Sequence, residues 1–151
     1  MLLANEILKV ALVTTHLPLK EVANNISTSK LENVIKILNK ELKQKWKIKT
    51  PKICVLGLNP HAGENGFLGT EEIEIIKPAI KKLRDSKIMV EGPESADTAF
   101  VPEKITKYDA YIAMFHDQGL PVLKALGFGN SINITLGLSL IHISEPTRRL
   151  I

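Results

Sequence analysis

Three of the four histidines in this 151-residue chain follow short apolar runs that have the composition of buried strands. His16 ends the run "VALVTTH", His61 comes shortly after "KICVLGL", and His116 ends the run "YIAMFH". Neutral imidazole is the commonest nitrogen ligand for zinc and suits several other divalent ions. Three protein ligands leave a coordination position open, which is typical of a catalytic metal site. The placement indicates a shared metal site, and the alternative interpretation is three separate structural histidines.

The segment that carries His61 has little side-chain bulk. "GLNPHAGENGFLG" (57–69) contains four glycines and follows directly on an apolar run. Such a cluster indicates that the backbone bends sharply or approaches a ligand closely. Backbone N–H groups in glycine-rich loops also bind anions, but this segment matches neither the Walker loop nor the G-x-G-x-x-G fingerprint.

Further polar residues suited to an anionic small molecule fall on predicted loops or at the ends of predicted elements: Asn59, Asp117, Gln118, Lys124 and Asn133. Lys124 has a second interpretation as an exposed helix lysine, and Asn133 as an ordinary polar residue within a strand. Both interpretations stay open here, because residue type and spacing do not separate them.

The strands and helices that are predicted to position these residues alternate along the chain. Apolar and β-branched runs predict strands at 9–15, 52–58, 87–90, 108–115 and 131–138. Apolar residues at three- and four-residue steps predict helices at 27–48, 69–86 and 120–126. The alternation predicts an α/β fold, layered α/β/α, with a largely parallel sheet. Ligands of such sheets bind beyond the carboxyl ends of the strands, where the three histidines are expected.

Four local signals refine these elements. Ser29 and Glu32 form a capping box at the start of the first helix. Pro78 is expected to kink or split the second helix, and Pro121 to lie in the first turn of the third. Residues 91–98, "EGPESADT", are predicted to be a loop.

The composition is that of a globular protein of one domain, with 44% hydrophobic and 24% charged residues. No apolar stretch reaches the roughly 18 residues that a membrane span needs, and the first residues lack a secretory leader pattern. The single cysteine, Cys54, lies in an apolar run and argues against a disulfide framework. We expect a cytoplasmic protein with no membrane partner.

The net charge of +4 does not indicate a nucleic-acid partner. Much of the basic excess lies at 39–52 and 81–87, where it is typical of solvated helix ends that complement the helix dipole. Aromatic residues make up 5% of the chain, which is too few for a base-stacking platform. We therefore predict no nucleic-acid binding.

Five stretches closely resemble the 4-hydroxythreonine-4-phosphate dehydrogenase family of pyridoxal phosphate biosynthesis. They are "TTHLPL" (14–19), "GLNPHAGENGFLGTEEI" (57–73), "ADT" (96–98), "AMFHDQGLPVLK" (113–124) and "GFGNSINITLGL" (127–138). The resemblance runs in order over about residues 1–138. Strings as long as "GLNPHAGE" and "HDQGLPVLK" are far more specific than a short consensus.

The resemblance implies a fold like that of the isocitrate and isopropylmalate dehydrogenases, and a homodimer with its active site at the subunit interface. It implies that His16, His61 and His116 bind a divalent metal (zinc, magnesium or cobalt), and that Lys124 and Asn133 bind the substrate. The implied reaction is oxidation of 4-phosphooxy-L-threonine by NAD or NADP, followed by decarboxylation. A sister enzyme acting on threonate or erythronate 4-phosphate is the alternative, since the residues named here would serve either substrate.

Both ends of the chain depart from the family pattern. Its members are longer, with an N-terminal substrate-binding region that has no counterpart here. After residue 138 the chain reads "SLIHISEPTRRLI", and His142 stands where the family has a substrate-contacting arginine. We therefore expect 1–138 to be a dehydrogenase domain incomplete at both ends and 139–151 to be an atypical tail. A further alternative follows: an inactive truncated domain that retains only a metal- and phosphate-binding surface.

Overall fold

A seven-stranded sheet forms the centre of the molecule in a computed structural model of the chain. The structure describes residues 1–127 and 129–137, together with the backbone of 143–144. The strands are β1 (Leu2–Ala4), β2 (Lys9–Leu12), β3 (Lys52–Leu56), β4 (Met89–Glu94), β5 (Ala110–Ala113), β6 (Ile132–Ile134) and β7 (Ile143–Ser144). The helices are α1 (Thr28–Lys45), α2 (Lys77–Asp85), α3 (Ala96–Ala99), α4 (Pro102–Lys107) and α5 (His116–Leu126). The sheet order is β4-β3-β5-β2-β1-β6-β7.

Four neighbouring strands of the sheet run parallel. β2 pairs with β5, β5 with β3, and β3 with β4, each in parallel. β1 is antiparallel to both of its neighbours, so β6 runs in the same direction as β2. The predicted α/β fold with a largely parallel sheet is confirmed. The carboxyl ends of the four parallel strands share one edge of the sheet, which is where such sheets bind ligands.

β1 is a strand that the sequence patterns do not predict. Its three residues are too few to show a strand period, yet all three are buried between β2 and β6. Asn5 closes the turn that follows, because its Oδ1 accepts hydrogen bonds from the N–H groups of Ile7 and Leu8 at 2.8 Å each. Pairing with two neighbouring strands, rather than a local pattern, therefore forms this strand.

Alternating side chains divide the core into two layers, one on each face of the sheet. One row of paired residues packs with α1 and α2 and contains Leu2, Ala11, Val55 and Ile112. The next row packs with α5 and contains Leu3, Val10, Cys54 and Tyr111. All eight residues are at most 4% exposed, so helices cover the central strands on both faces.

Cys54 belongs to the row that faces α5, and its side chain is fully buried. Burial, assisted by the nearby carboxylate of Glu94, raises the pKa of its thiol to about 12. The reactive form of cysteine is the thiolate, so Cys54 is unreactive at neutral pH. It is a small core residue, as its place in an apolar run predicts.

The helix predicted at 27–48 is observed as α1, but its capping residue differs from the prediction. Ser27 has an extended backbone, and its hydroxyl accepts a hydrogen bond from the N–H of Lys30 at 3.1 Å. Ser29 already lies inside the helix and cannot be the cap, since a capping residue needs non-helical backbone angles. Glu32 is buried and faces Lys82 Nζ at 3.3 Å instead. The predicted Ser29–Glu32 capping box is therefore wrong.

The helix predicted at 69–86 is divided, as its proline predicts. A π-helical turn at Glu72–Ile76 precedes the regular helix α2, and Pro78 lies in the first turn of α2. The π-helical turn ends with a hydrogen bond from the N–H of Lys77 to the carbonyl oxygen of Glu72, and Pro78, which has no N–H to donate, follows directly.

α5 starts earlier than predicted. The helix expected at 120–126 begins at His116, so Pro121 lies in its interior and not in its first turn. Gly119 and Leu120 are buried against the sheet, and Asp117 complements the positive end of the helix dipole. Tertiary packing therefore overrides the local preference of the proline.

The loop predicted at 91–98 is occupied by β4 and α3. β4 continues to Glu94 because it pairs with β3 along the edge of the sheet. α3 then begins at Ala96. The glycine and proline at 92–93 account for the wrong prediction, since both normally interrupt strands but are tolerated on an edge strand.

β2, β3 and β5 end slightly before their predicted boundaries, at Leu12, Leu56 and Ala113. Thr14 still donates a backbone hydrogen bond to the carbonyl oxygen of Met114, so the two chains stay adjacent beyond the regular ladder. The strand predicted at 131–138 is shorter as well, and is observed as β6.

Two predictions concern residues outside the described part of the chain. His142 lies outside it, and so does the predicted tail at 139–151 apart from the backbone of 143–144. Within the described part, none of the helices has both the length and the apolar character needed to cross a membrane.

Candidate functional site

The three histidines lie beyond the carboxyl ends of three adjacent parallel strands. His61 follows β3, His116 follows β5, and His16 follows β2, and these strands are neighbours in the order β3-β5-β2. Residues far apart in sequence are therefore brought to one side of the sheet. We call this side the histidine edge.

The rings of His16 and His116 are close neighbours. Their centroids are 5.7 Å apart and their planes are tilted by 44°. The two rings line a cleft of about 310 Å³ whose other walls include Leu19, Val22 and Phe115. The lining of the cleft thus combines apolar side chains with the two imidazoles and the carboxyl group of Asp117.

This pair of imidazoles fits two ligands of one divalent ion. Zinc–nitrogen distances are about 2.1 Å, which places the ring centroids of two tetrahedral ligands about 5 Å apart. The observed 5.7 Å is close to this separation. Asp117 Oδ1 lies 2.7 Å from His116 Nδ1. A carboxylate on one ring nitrogen fixes the tautomer that leaves the other nitrogen free to bind a metal.

His61 begins a left-handed turn in the glycine-rich segment. Residues 61–65 all have φ values between 47° and 80°, and four of the five carry a Cβ atom. A left-handed conformation costs about 1–2 kcal/mol for each such residue. Backbone strain of this kind persists only where the surroundings hold it, and it clusters at functional sites.

His61 does not join the other two histidines within a single chain. Among the residues that the structure describes, no group of three or more histidine, cysteine, aspartate or glutamate side chains could hold a metal ion. The Ser95 hydroxyl donates a hydrogen bond to Asp97 and holds the pKa of the Asp97 carboxyl below its usual value, and His61 makes a smaller contribution in the same direction. The three-histidine site stays a prediction that counts both copies of a dimer.

Glu72 is a buried acceptor that the sequence patterns do not identify. The residue is 1% exposed, and its Oε1 accepts hydrogen bonds from the N–H groups of Leu58 and Asn59 at 2.7 Å each. Its Oε2 accepts a third bond from Asn59 Nδ2 at 3.0 Å. The sequence places Glu72 in the acidic first turn of a helix, where an exposed carboxylate suits the dipole. No spacing signal distinguishes it from the nearby Glu71, which is half-buried, or from Glu74, which is exposed.

Hydrogen bonds connect the three strand ends at the histidine edge. Gln118 accepts a bond from the N–H of Met114 at 2.8 Å and donates one from Nε2 to the carbonyl oxygen of Gly57 at 2.6 Å. The hydroxyl of Thr14 donates to the carbonyl oxygen of Met114 at 2.7 Å. Side chains thus join the ends of β2, β5 and β3, from which the three histidines follow.

The two residues predicted to bind substrate lie on the face of the sheet that α5 covers. Lys124 is a half-buried residue of α5 itself. Asn133 is paired with Leu3, whose side chain packs in the layer under α5. Asn133 Nδ2 also donates to the sulfur atom of Met1 at 3.6 Å. Their role in substrate binding stays a prediction.

The overall architecture matches that of solved dehydrogenases. A crystal structure of 4-hydroxythreonine-4-phosphate dehydrogenase from Klebsiella pneumoniae aligns with a TM-score of 0.88 and 41% identity, over 95% of this chain and 43% of that chain. A structure of the enzyme of the same name from Burkholderia phymatum aligns with a TM-score of 0.89 and 38% identity, over 97% and 44% of the two chains. The fold is therefore that of this class of dehydrogenases.

The chain belongs to the family described as "Pyridoxal phosphate biosynthetic protein PdxA", whose sequence profile matches residues 1–146. The 4-hydroxythreonine-4-phosphate dehydrogenase of Thioalkalivibrio sulfidiphilus is 56% identical over 144 residues, which make up 95% of this chain and 44% of that protein. The chain therefore spans less than half the length of this relative. A division of the chain at residue 138 stays a prediction.

Proposed function

We propose that this chain takes part in the oxidation of 4-phosphooxy-L-threonine by NAD or NADP, followed by loss of carbon dioxide, in pyridoxal phosphate biosynthesis. One structural observation supports the proposal in addition to family membership. His16 and His116, which are 100 positions apart in the numbering of the sequence (116 − 16), have ring centroids 5.7 Å apart at the histidine edge of the sheet.

His16 and His116 would hold a divalent metal ion, zinc, magnesium or cobalt, with His61 as the third ligand counting both copies of a homodimer. Asp117 holds His116 in the tautomer with a free Nε2. A bound ion supplies Lewis acidity, which lowers the pKa of a secondary alcohol and favours transfer of its hydride to a nicotinamide. The left-handed turn keeps His61 at the histidine edge.

Lys124 and Asn133 would bind the phosphorylated end of the substrate. A lysine ammonium makes charge-assisted hydrogen bonds to phosphate oxygens, and an asparagine amide adds donors without adding charge. Both residues lie on the α5 side of the sheet, away from the layer filled by α1 and α2. The substrate would therefore extend from the histidine edge over the α5 face. We place the protein in the cytoplasm, with no nucleic-acid or membrane partner.

A second candidate is a chain that binds metal and phosphate without turnover by itself. The observation that favours it is the coverage: the chain corresponds to 44% of the length of its Thioalkalivibrio relative. Under this proposal, groups outside residues 1–138 complete the substrate and cofactor sites. Binding would then be measurable in the chain, whereas formation of NADH or NADPH would not.

Cobalt titration tests the metal site directly, because bound Co²⁺ has a visible absorption spectrum. We expect the chain to bind Co²⁺, and His16→Ala and His116→Ala each to weaken binding at least tenfold. His142→Ala is the matched control, since the proposal does not use this fourth histidine, and it should bind as the unchanged chain does. Equal affinity in all four proteins would refute the proposed metal site.

Formation of NADH or NADPH tests the reaction. The chain is supplied with Co²⁺, either cofactor, and 4-phosphooxy-L-threonine or threonate 4-phosphate. Turnover of the first substrate alone supports the proposal, and turnover of the second alone supports the sister enzyme. Metal binding without any turnover supports the second candidate.

A further inference from the structure

We propose that Glu72 is a positioning residue for His61: its buried carboxylate holds the strained loop that presents this histidine at the histidine edge. The part of this inference that concerns metal binding rests on the proposed function. Glu72 itself lies beneath the loop backbone and touches no group that would reach the substrate.

The loop needs such a support because its own sequence does not favour its conformation. Four of the five left-handed residues carry a Cβ atom, and only Gly63 among them is a glycine. Besides the bonds within residues 60–66, Ala62 N–H donates to Asn59 at 3.1 Å, Phe67 N–H to Glu64 at 3.2 Å and Leu68 N–H to Gly63 at 2.9 Å. All of these bonds join the segment to itself, so only contacts from outside it can fix its position on the sheet.

Glu72 provides these contacts at the point where the chain enters the loop. Its Oε1 accepts from two successive backbone N–H groups, those of Leu58 and Asn59, at 2.7 Å. Its Oε2 accepts from the Asn59 side chain at 3.0 Å. Three donors on one carboxylate fix the direction of the backbone two residues before His61.

Two glycines let the loop backbone close around this carboxylate. A Cβ atom on Gly63 would lie 2.6 Å from Glu72 Oε2, and one on Gly57 would lie 3.1 Å from Glu72 Oε1. Real side-chain carbons do not approach an oxygen as closely as the first distance. These glycines of the "GLNPHAGENG" segment thus make room for Glu72, which the sequence alone does not reveal.

The carboxylate is itself held by a rigid element. Glu72 opens the π-helical turn that leads into α2, and Ile76 at the end of this turn is fully buried. α2 continues with Ala79 and Leu83, which are also fully buried in the core layer. Glu72 is therefore anchored in the core and can hold the loop in a fixed position. Functional sites are more precise when helices and strands support them in this way.

Glu72→Gln is the informative substitution, because it keeps the shape and one acceptor oxygen but replaces the other oxygen with a donor that faces Asn59. Glu74→Gln is the matched control, since Glu74 lies in the same π-helical turn with an exposed side chain. Gly63→Ala provides a second variant, in which the added methyl group would lie 2.6 Å from Glu72 Oε2 and 2.9 Å from the Gly69 carbonyl oxygen, so that the loop and the carboxylate can no longer pack together. Thermal unfolding establishes that each variant is folded.

Two measurements on these folded proteins test whether Glu72 positions His61. Amide hydrogen exchange over residues 57–69 of the metal-free chain should accelerate at least tenfold in Glu72→Gln and in Gly63→Ala, but not in Glu74→Gln. Co²⁺ affinity should fall at least tenfold in the same two variants and stay unchanged in the control.

The outcomes distinguish a failure of the proposed role of Glu72 from a failure of the proposed metal site. Unchanged exchange in Glu72→Gln overturns the inference whether or not the chain binds metal. Faster exchange with unchanged Co²⁺ affinity also overturns it, because Glu72 would then support the loop without positioning a ligand. A chain that binds no Co²⁺ refutes the proposed metal site and with it the ligand role, while the exchange result still shows whether Glu72 holds the loop.

Discussion

The side-chain amide of Gln118 donates a hydrogen bond to the carbonyl oxygen of Gly57, 2.6 Å away, although the two residues are 61 positions apart in sequence. Gly57 directly follows β3, and Gln118 lies in the first turn of α5, two residues after His116. The same side chain accepts a bond from Met114, which directly follows β5. One glutamine therefore joins the backbone before His61 to the backbone before His116.

Gln118→Ala should lower the free energy of unfolding by about 1–3 kcal/mol, because it leaves the Gly57 carbonyl and the Met114 N–H without their partner. Urea unfolding followed by fluorescence of the single tryptophan, Trp46, measures this change. Gln44→Ala is the control, since Gln44 is exposed on α1 and should change stability very little. Equal stability of the two variants would contradict this role for Gln118.

Gly119→Ala should also destabilise the fold, by about 1–3 kcal/mol through overpacking. An added Cβ would lie 2.6 Å from Val10 Cγ1 and 3.1 Å from Ala113 Cβ, where α5 approaches β2 and β5. The control is a double-mutant cycle with Val10→Ala, which removes the closer of the two atoms. If the two substitutions were additive, steric contact with Val10 would not be the cause.

Tyr108→Phe should produce a loss of stability that depends on pH. Hydrogen bonds from the Tyr108 hydroxyl at 2.6 Å and then from Lys107 at 2.9 Å lower the pKa of Glu91 below its ordinary value of about 4.3. A lowered folded-state pKa means that the ionised carboxylate stabilises the fold above the unfolded-state pKa. This stabilisation is lost as the pH falls through the folded-state pKa.

We therefore expect a lower melting temperature for Tyr108→Phe at neutral pH and a difference that shrinks in acid. The Glu91 side chain is 43% exposed, so the effect should stay below about 1 kcal/mol. Tyr111→Phe is the matched control, because the Tyr111 hydroxyl donates to the carbonyl oxygen of Ala99, which does not titrate. Parallel pH profiles for the two variants would count against the Glu91 explanation.

Lys124→Ala should weaken binding of 4-phosphooxy-L-threonine more than tenfold and leave NAD or NADP binding unchanged. Loss of a charge-assisted contact costs roughly 1.5–3 kcal/mol. Calorimetric titration in the presence of Co²⁺ measures both affinities. Lys81→Ala, which removes an exposed lysine of α2 on the opposite face of the sheet, should change neither. Unaltered affinity for the phosphorylated compound would exclude Lys124 as its charge partner.

The features that could be predicted from the sequence are those with a local signal. Apolar runs mark β2, β3 and β5, and their alternation with helices implies parallel pairing, so the placement of the three histidines at one edge follows. The features that escaped prediction depend on distant partners. Glu72 is buried only because the loop folds over it, and β1 is a strand only because β2 and β6 flank it.

The conformation of the loop around His61 is another feature that sequence patterns do not predict. Its glycines correctly indicate sharp bends, but Ala62 and Glu64 have no preference for the left-handed region, so residue preference does not predict the run of five left-handed residues. The proximity of His16 and His116 is likewise a result of sheet order, which places β2 next to β5. Sequence periodicity identifies strands but does not specify this order.

The position of β1 between β2 and β6 has a consequence for the rate of folding. Leu2 pairs with Ile134, so this contact closes a loop that spans nearly the whole described chain. The pairing of β2 with β5, for example of Val10 with Tyr111, closes a loop almost as long. Loop-closure entropy grows only slowly with loop length, so the two contacts have a similar entropic cost. The histidine edge and the place of Asn133 in β6 therefore both depend on contacts between distant parts of the chain, and domains dominated by such contacts fold slowly.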